Sequence, residues 1–254
     1  MAFEQVVRYE TEDRVAVITM NRPDKRNAIN VDMREGLFAA FERARDDEDV
    51  WAVIITGAGG NFSSGHDLTM IGERARPGRS TDDLYLLMRS VWKPIIAAVE
   101  GYCLAQGAGM ALCSDIRIAG VGASFGWPQV KRGISSISGP SLLAHSVPLC
   151  RAMELMLTGD FIGAEEAAAI GLVNRVVPSG KALDTAREIA AKICRNAPLA
   201  VRTIKEATIR GLGLPLPDRI RIAADLMDRV NRTEDAREGL QAFKEKREPV
   251  WKAR

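Results

Sequence analysis

Two glycine-bearing segments hold the residues whose type and spacing best suit chemistry: Phe62-Ser-Ser-Gly-His-Asp-Leu68 and Ala98-Val-Glu-Gly-Tyr-Cys-Leu-Ala-Gln-Gly-Ala-Gly109. A Gly-His-Asp turn after a strand can point consecutive backbone N–H groups into a cleft, as an oxyanion hole requires. Gln106-Gly107-Ala108-Gly109 stands where a helix should begin, and there unpaired N–H groups and the helix dipole favour developing negative charge. Two such donors would polarise one carbonyl. Either turn alone also reads as a tight α/β connection, so the weight rests on their joint occurrence.

The elements around them follow from periodicity. Arg14-Val-Ala-Val-Ile-Thr-Met20, Trp51-Ala-Val-Ile-Ile-Thr56, Pro94-Ile-Ile-Ala-Ala-Val99 and Ile116-Arg-Ile-Ala119 are short β-branched runs that predict buried strands. Between them Met33, Leu37, Ala40, Phe41 and Ala44 recur at helical spacing from Val31 to an acidic exit at Asp46–Asp49, and 83–92 and Met110–Asp115 also read as helix. Strand and helix alternate, so the core is α/β. Residues 72–82 are polar and carry Gly, Arg and Pro, which predicts a mobile loop. From Ala182 onward no strand is expected, and 182–195, 198–211, 216–231 and 233–247 predict four helices.

Composition bounds the function. The chain has 254 residues, 46% of them apolar, enough for a substantial interior. With 35 basic against 33 acidic residues the net charge is +2, which argues against a nucleic-acid surface. Cys103, Cys113, Cys150 and Cys194 show no CxxC spacing and sit in apolar or helical settings. They read as free buried thiols in a reducing compartment, with no metal site. No targeting start and no apolar run long enough for a bilayer are present, so the expected location is cytoplasmic, without a membrane partner.

Along nearly its whole length the chain resembles the crotonase superfamily, the enoyl-CoA hydratase/isomerase family. The resemblance rests on Asn21-Arg-Pro-Asp-Lys-Arg-Asn-Ala28, Phe62–Leu68, Lys93–Val99, Cys113-Ser-Asp-Ile116, Leu157-Thr-Gly159, Ala167–Val173 and Glu238–Arg247, in the family's order. It implies a spiral of βαβ units over 1–195 and an all-helical trimerisation module over 196–254, assembling as a homotrimer or a dimer of trimers. It also implies a coenzyme A thioester as substrate rather than a permanently bound cofactor. By position, the oxyanion donors fall on the backbone N–H of His66 and Gln106. Contacts to coenzyme A fall on Lys25, Arg26 and Ala28 for the nucleotide end, and on Ser64, Gly65, His66, Asp67, Leu68 and Gly107 for the adenine and pantetheine. Phe243 and Lys246 of the last helix would close the pocket, from the same or a neighbouring subunit. Lys25 and Arg26 read equally well as solvated turn charges.

The departures bear on the reaction. The family's two catalytic glutamates fall on Gly109 and Gln129, and a third carboxylate position used by some members falls on Ile137. A glutamine amide orients water but is no general base near neutral pH. Ordinary two-glutamate hydration is therefore not expected. His66 contributes either an acid/base imidazole or only its backbone, and Ser135, Ser136 and Ser138 either line the acyl pocket or bond within their loop. Glu100 follows the third strand and reads as a structural salt link or a solvated acid ahead of a residue facing the site. The chain is then an enolate-stabilising acyl-CoA enzyme, a decarboxylase-like variant of one, or a non-catalytic acyl-CoA binder. A scaffold without a coenzyme A site would make both turns accidental.

Overall fold

The computed structural model describes residues 3–70 and 79–254. In chain order its elements are α1 (Phe3–Val6), β1 (Val7–Glu12), β2 (Val15–Met20), α2 (Val31–Asp46), β3 (Ala52–Gly57), α3 (Thr81–Ser90), β4 (Ile95–Val99), β5 (Tyr102–Leu104), α4 (Gln106–Cys113), β6 (Ile116–Gly120) and β7 (Ser124–Gly126). They continue as α5 (Ser138–Ser141), α6 (Leu149–Thr158), β8 (Phe161–Gly163), α7 (Ala164–Ala169), β9 (Arg175–Val177), α8 (Ala182–Cys194), α9 (Pro198–Gly211), α10 (Leu216–Val230) and α11 (Glu234–Glu245). The four long strands and the four helices after Ala182 stand where periodicity put them. Most of the loop expected over 72–82 lies outside the described residues. Thr81 already opens α3, because Ser80 and Asp83 form a reciprocal capping box.

Six strands make the main sheet in the order β1-β2-β3-β4-β6-β9, parallel except for the β1–β2 pair. Strands buried on both faces need apolar residues in both registers, which is why β3 and β4 are continuous apolar runs. One register (Val15, Val17, Ala52, Ile54, Ile96, Ala98, Ile118) meets Ala182, Ala186 and Ala190 of α8. These alanines recur every fourth residue and form a smooth stripe along the helix. The other register, including Ile18, Val53, Ile55 and Ala97, packs with Met33, Leu37, Phe38 and Phe41 of α2. A second sheet, β5-β7-β8, lies beyond the ends of the first.

The registers place the loops. Met20 pairs with Gly57, so the segments after β2 and β3 leave one edge of the sheet together, joined there by the chain after β4. Residues 62–67 then run between Ile29 on one side and Tyr102–Leu104 on the other: Ser63 N–H donates to Tyr102 O at 2.8 Å, and Leu104 N–H to Ser63 O at 2.9 Å. Both glycine segments thereby meet at the carboxyl ends of the parallel strands, where α/β sheets bind ligands.

Asn27 fastens this edge. Fully buried, with φ of 54°, it donates through Nδ2 to Ala58 O (2.9 Å) and Asn61 O (2.6 Å) and accepts from Arg22 N–H (2.9 Å). Asn27→Ala leaves these groups unpaired and puts alanine in a left-handed conformation. It is expected to cost about 3 kcal/mol. Urea denaturation should show the midpoint fall at unchanged slope.

The C-terminal helices are tied back by a short ion pair, Lys205 to Asp115 at 2.7 Å, and by Lys205 to Lys93 O at 3.0 Å. Glu100 accepts from Gly180 N–H (2.9 Å) and Ala182 N–H (3.1 Å), a structural cap on α8 as expected. Cys103 and Cys113 are buried, but Cys150 is exposed at the start of α6, contrary to the reading of all four thiols as buried. Among the described residues no helix is long and apolar enough to cross a membrane, and no three His, Cys, Asp or Glu side chains group as a metal site.

Candidate active site

The site is built on two peptide units, each held by its carbonyl. Gly65 O accepts from Ile29 N–H at 2.8 Å, while Gly65 N–H donates to Ser63 Oγ at 3.1 Å, itself fixed on Asn27 O at 2.8 Å. In a trans peptide the N–H opposes the C=O, so His66 N–H turns away from Ile29. Gly65 has φ of +92°, a conformation that favours glycine.

The second unit is Ala105–Gln106. Ala105 O accepts from Gly109 N–H (3.0 Å) and from the Ser138 hydroxyl (3.2 Å), and Ser138 Oγ in turn accepts from Trp127 Nε1 (3.1 Å). Ala105 carries φ 51° and ψ −112°, strained for a residue with a Cβ, and the backbone is held there by these bonds and by Ala105 N–H on Gly126 O at 2.9 Å. Gln106 N–H stands in the first turn of α4, where no helical acceptor exists. Among the described residues neither His66 N–H nor Gln106 N–H has a hydrogen-bond partner. The two turns abut: a Cβ on Gly65 would lie 2.9 Å from Ala105 Cβ and 3.4 Å from Gln106 N.

A cleft of about 600 Å3 opens in front of them. Lys25, Arg26, Ala28 and Ser64 line it at one side, joined by His66, Asp67 and Leu68. Arg26 sits 5.2 Å from the Tyr102 ring centroid, and Ser64 N–H donates to Arg26 O at 2.9 Å, so the basic turn is built rather than loose. Asp67 is committed to structure. Thr69 bonds to it and Arg22 pairs with it at 3.0 Å, and these partners hold its carboxyl below the usual range. The His66 side chain is exposed within the cleft.

Gln106, Gln129, Ser135, Ser136, Ile137 and Ser138 also line the cleft. Gln129 Nε2 donates to Ser136 Oγ at 3.2 Å, and its buried Oε1 has no partner among the described residues. Trp127 is core, 1% exposed, whereas Tyr102 faces the cleft. Gly107 packs directly on Ser63: a Cβ there would sit 2.6 Å from Ser63 Cβ, which is why the start of α4 can approach the 62–67 segment. Phe243, 84% exposed, and Lys246, the left-handed cap of α11, lie outside the cleft of a single chain.

Two lining residues escape sequence reasoning. Asp82 and Tyr85 are three apart on α3, hence on one face, and both reach the cleft. The Tyr85 hydroxyl donates to Gln106 O at 3.1 Å. Burial above all pushes its phenol well above the ordinary range. The Ser-x-x-Asp capping signal at Ser80–Asp83 would have shown where α3 begins and which face these residues share.

Such a cleft, with two carbonyl-pinned N–H donors at the end of a parallel sheet, defines a scaffold that can hold an oxygen as it gains charge. The chain belongs to the enoyl-CoA hydratase/isomerase family, whose model matches residues 10–254. It is 36% identical over 256 residues to the (E)-benzylidenesuccinyl-CoA hydratase of Thauera aromatica, covering 97% of this chain and 98% of that one. It is 36% identical over 254 residues to the crotonyl-CoA hydratase of Syntrophomonas wolfei, covering 97% of each. The crystal structure of enoyl-CoA hydratase from Mycobacterium tuberculosis superimposes with a TM-score of 0.92 at 38% identity, over 99% of this chain and all of that one. The crotonase-type α/β fold and the family resemblance read from the sequence both hold.

Proposed function

We propose that this protein binds acyl-CoA thioesters and stabilises their enolate between the backbone N–H groups of His66 and Gln106. The observation that carries this reading is that both peptide carbonyls, Gly65 O and Ala105 O, are engaged, while the His66 and Gln106 N–H groups of two abutting turns have no partner among the described residues. Each donor contributes about 3 kcal/mol to a transition state in which the oxygen is negative. Lys25, Arg26 and Ala28 then take the nucleotide end of coenzyme A, and Ser64, Gly65, His66, Asp67, Leu68 and Gly107 frame the adenine and pantetheine. Gln129 orients water beside the acyl group.

Phe243 and Lys246 serve a neighbouring copy's pocket. The apolar side chains left open on the C-terminal helices, Ile204, Leu216, Ile220, Leu240 and Phe243 among them, support assembly as a homotrimer or dimer of trimers through residues 196–254. The relatives' names include hydratases of enoyl-CoA substrates, which favours hydration or isomerisation. Gly109 and Gln129 favour a second reading, loss of carbon dioxide from a β-carboxyacyl thioester, because that reaction needs the oxyanion site and no base. A non-catalytic binder would share the affinity and lack all turnover.

Calorimetric titration with butyryl-CoA and with its thioether counterpart, which lacks the carbonyl oxygen, tests the reading. The thioester should bind at least about tenfold more tightly, since two buried donors are left unpaired by the thioether. Equal affinity, or no binding of either, contradicts it.

A further inference from the structure

The cleft lacks a carboxylate at 109, 129 and 137, yet it is not without one. Asp67 and Asp82 are the carboxylates that line it among the described residues, and Asp67 is held by Arg22 and Thr69. Asp82 has no hydrogen bond or ion pair among the described residues. It sits one helical turn before Tyr85, on the same face of α3.

Tyr85 shows where that face points. A Cβ built on Gly109 would lie 2.3 Å from the Tyr85 hydroxyl oxygen and 2.7 Å from Ser138 Cβ. The phenol therefore fills the volume in which a side chain at 109 would start. Its hydroxyl donates to the carbonyl of Gln106, a cleft residue whose N–H has no partner among the described residues. Helix α3 thus lines the cleft beside α4, with Tyr85 packed against Gly109 and Asp82 one turn earlier on the same face.

We propose that α3 carries the proton chemistry of this cleft, with the Asp82 carboxylate removing the α-proton of the bound acyl thioester and Tyr85 acting as the positioning residue that fills the space beside Gly109. The inference rests on the acyl-CoA reading above. In the step, the Cα–H bond breaks and its proton passes to a carboxylate oxygen of Asp82. The electron pair moves into a Cα–C double bond as the thioester carbonyl becomes an enolate oxygen held by the two N–H groups. Return of a proton from the Asp82 carboxylic acid to Cα restores the thioester. In deuterated water the acid exchanges with solvent, and deuterium returns instead.

The test is exchange of the α-protons of butyryl-CoA in deuterated water, followed by proton NMR, with thioester affinity measured alongside. Wild-type protein should exchange them. Asp82→Asn should slow exchange roughly 100-fold while affinity stays within about threefold, and Asp82→Glu should recover part of the rate. Asp83→Ala, which removes the side-chain half of the α3 capping box but no cleft carboxylate, should retain exchange. Exchange by Asp82→Asn at the wild-type rate, an equal loss in Asp83→Ala, or wild-type binding without exchange would each overturn the proposal. A wild-type protein that does not distinguish thioester from thioether overturns the acyl-CoA reading itself, and this inference with it.

Discussion

Gly65→Ala is expected to abolish carbonyl polarisation while leaving most of the fold intact. The new methyl group would stand 2.9 Å from both Ala105 Cβ and Leu104 O, and 3.4 Å from Gln106 N. It would also have to adopt φ of +92°, which costs an L-residue strain of order 1–3 kcal/mol. Relief comes by moving the 64–66 turn, and that movement re-aims His66 N–H, whose direction depends on the bond between Ile29 N–H and Gly65 O. Loss of one such donor lowers turnover by about 100-fold or more. With Gln106 N–H displaced as well, the effect should exceed that figure. Steady-state kinetics on any thioester the wild type turns over, with thermal unfolding as control, checks it.

The second large effect runs against family logic. Installing a glutamate at position 109 should not restore hydratase chemistry, because the space is taken. Its Cβ would sit 2.3 Å from the Tyr85 hydroxyl oxygen, 2.6 Å from Tyr85 Cζ and 2.7 Å from Ser138 Cβ. Tyr85 is 7% exposed and Ser138 3%, so neither has room to withdraw. Ser138 also holds Ala105 O, and displacing it releases the strained Ala105–Gln106 peptide. Overpacking of this kind costs about 1–3 kcal/mol and more where backbone must shift. Gly109→Glu should therefore lower the melting temperature by several degrees and weaken thioester binding. Differential scanning calorimetry reads the first and thioester titration the second; an unchanged melting temperature with unchanged affinity would contradict the account.

How much of this was legible in the sequence depends on the range over which each signal acts. The long strands β2, β3, β4 and β6 were readable because burial on both faces demands β-branched runs. β1 was not: it is the edge strand, antiparallel and largely exposed, and Val-Arg-Tyr-Glu-Thr-Glu carries no apolar run. β5, β7, β8 and β9 are three residues each, too short for a period to register. The two glycine segments were readable as tight turns because glycine marks a positive φ or a close approach, as Gly65 and Gly107 respectively show. What holds their peptides was not, since Ile29 lies 36 residues from Gly65, and Gly126 and Ser138 lie 21 and 33 residues from Ala105. Asp82 and Tyr85 were missed for a related reason. They stand on a helix outside both segments, and only the α3–α4 contact reveals that Tyr85 and Gly109 share one volume. The emptiness at 109 looked like a lost carboxylate; in the fold it is the room a phenol requires.

The central claim is that two backbone N–H groups polarise a thioester carbonyl, and the absorbance of bound dimethylaminocinnamoyl-CoA tests it most directly. This chromophore shifts to longer wavelength as its carbonyl oxygen gains negative charge. A red shift with the wild-type protein, retained in Asp82→Asn and lost in Gly65→Ala, is the predicted result. Binding of the chromophore with an unshifted spectrum, or a shift that survives in Gly65→Ala, would contradict it.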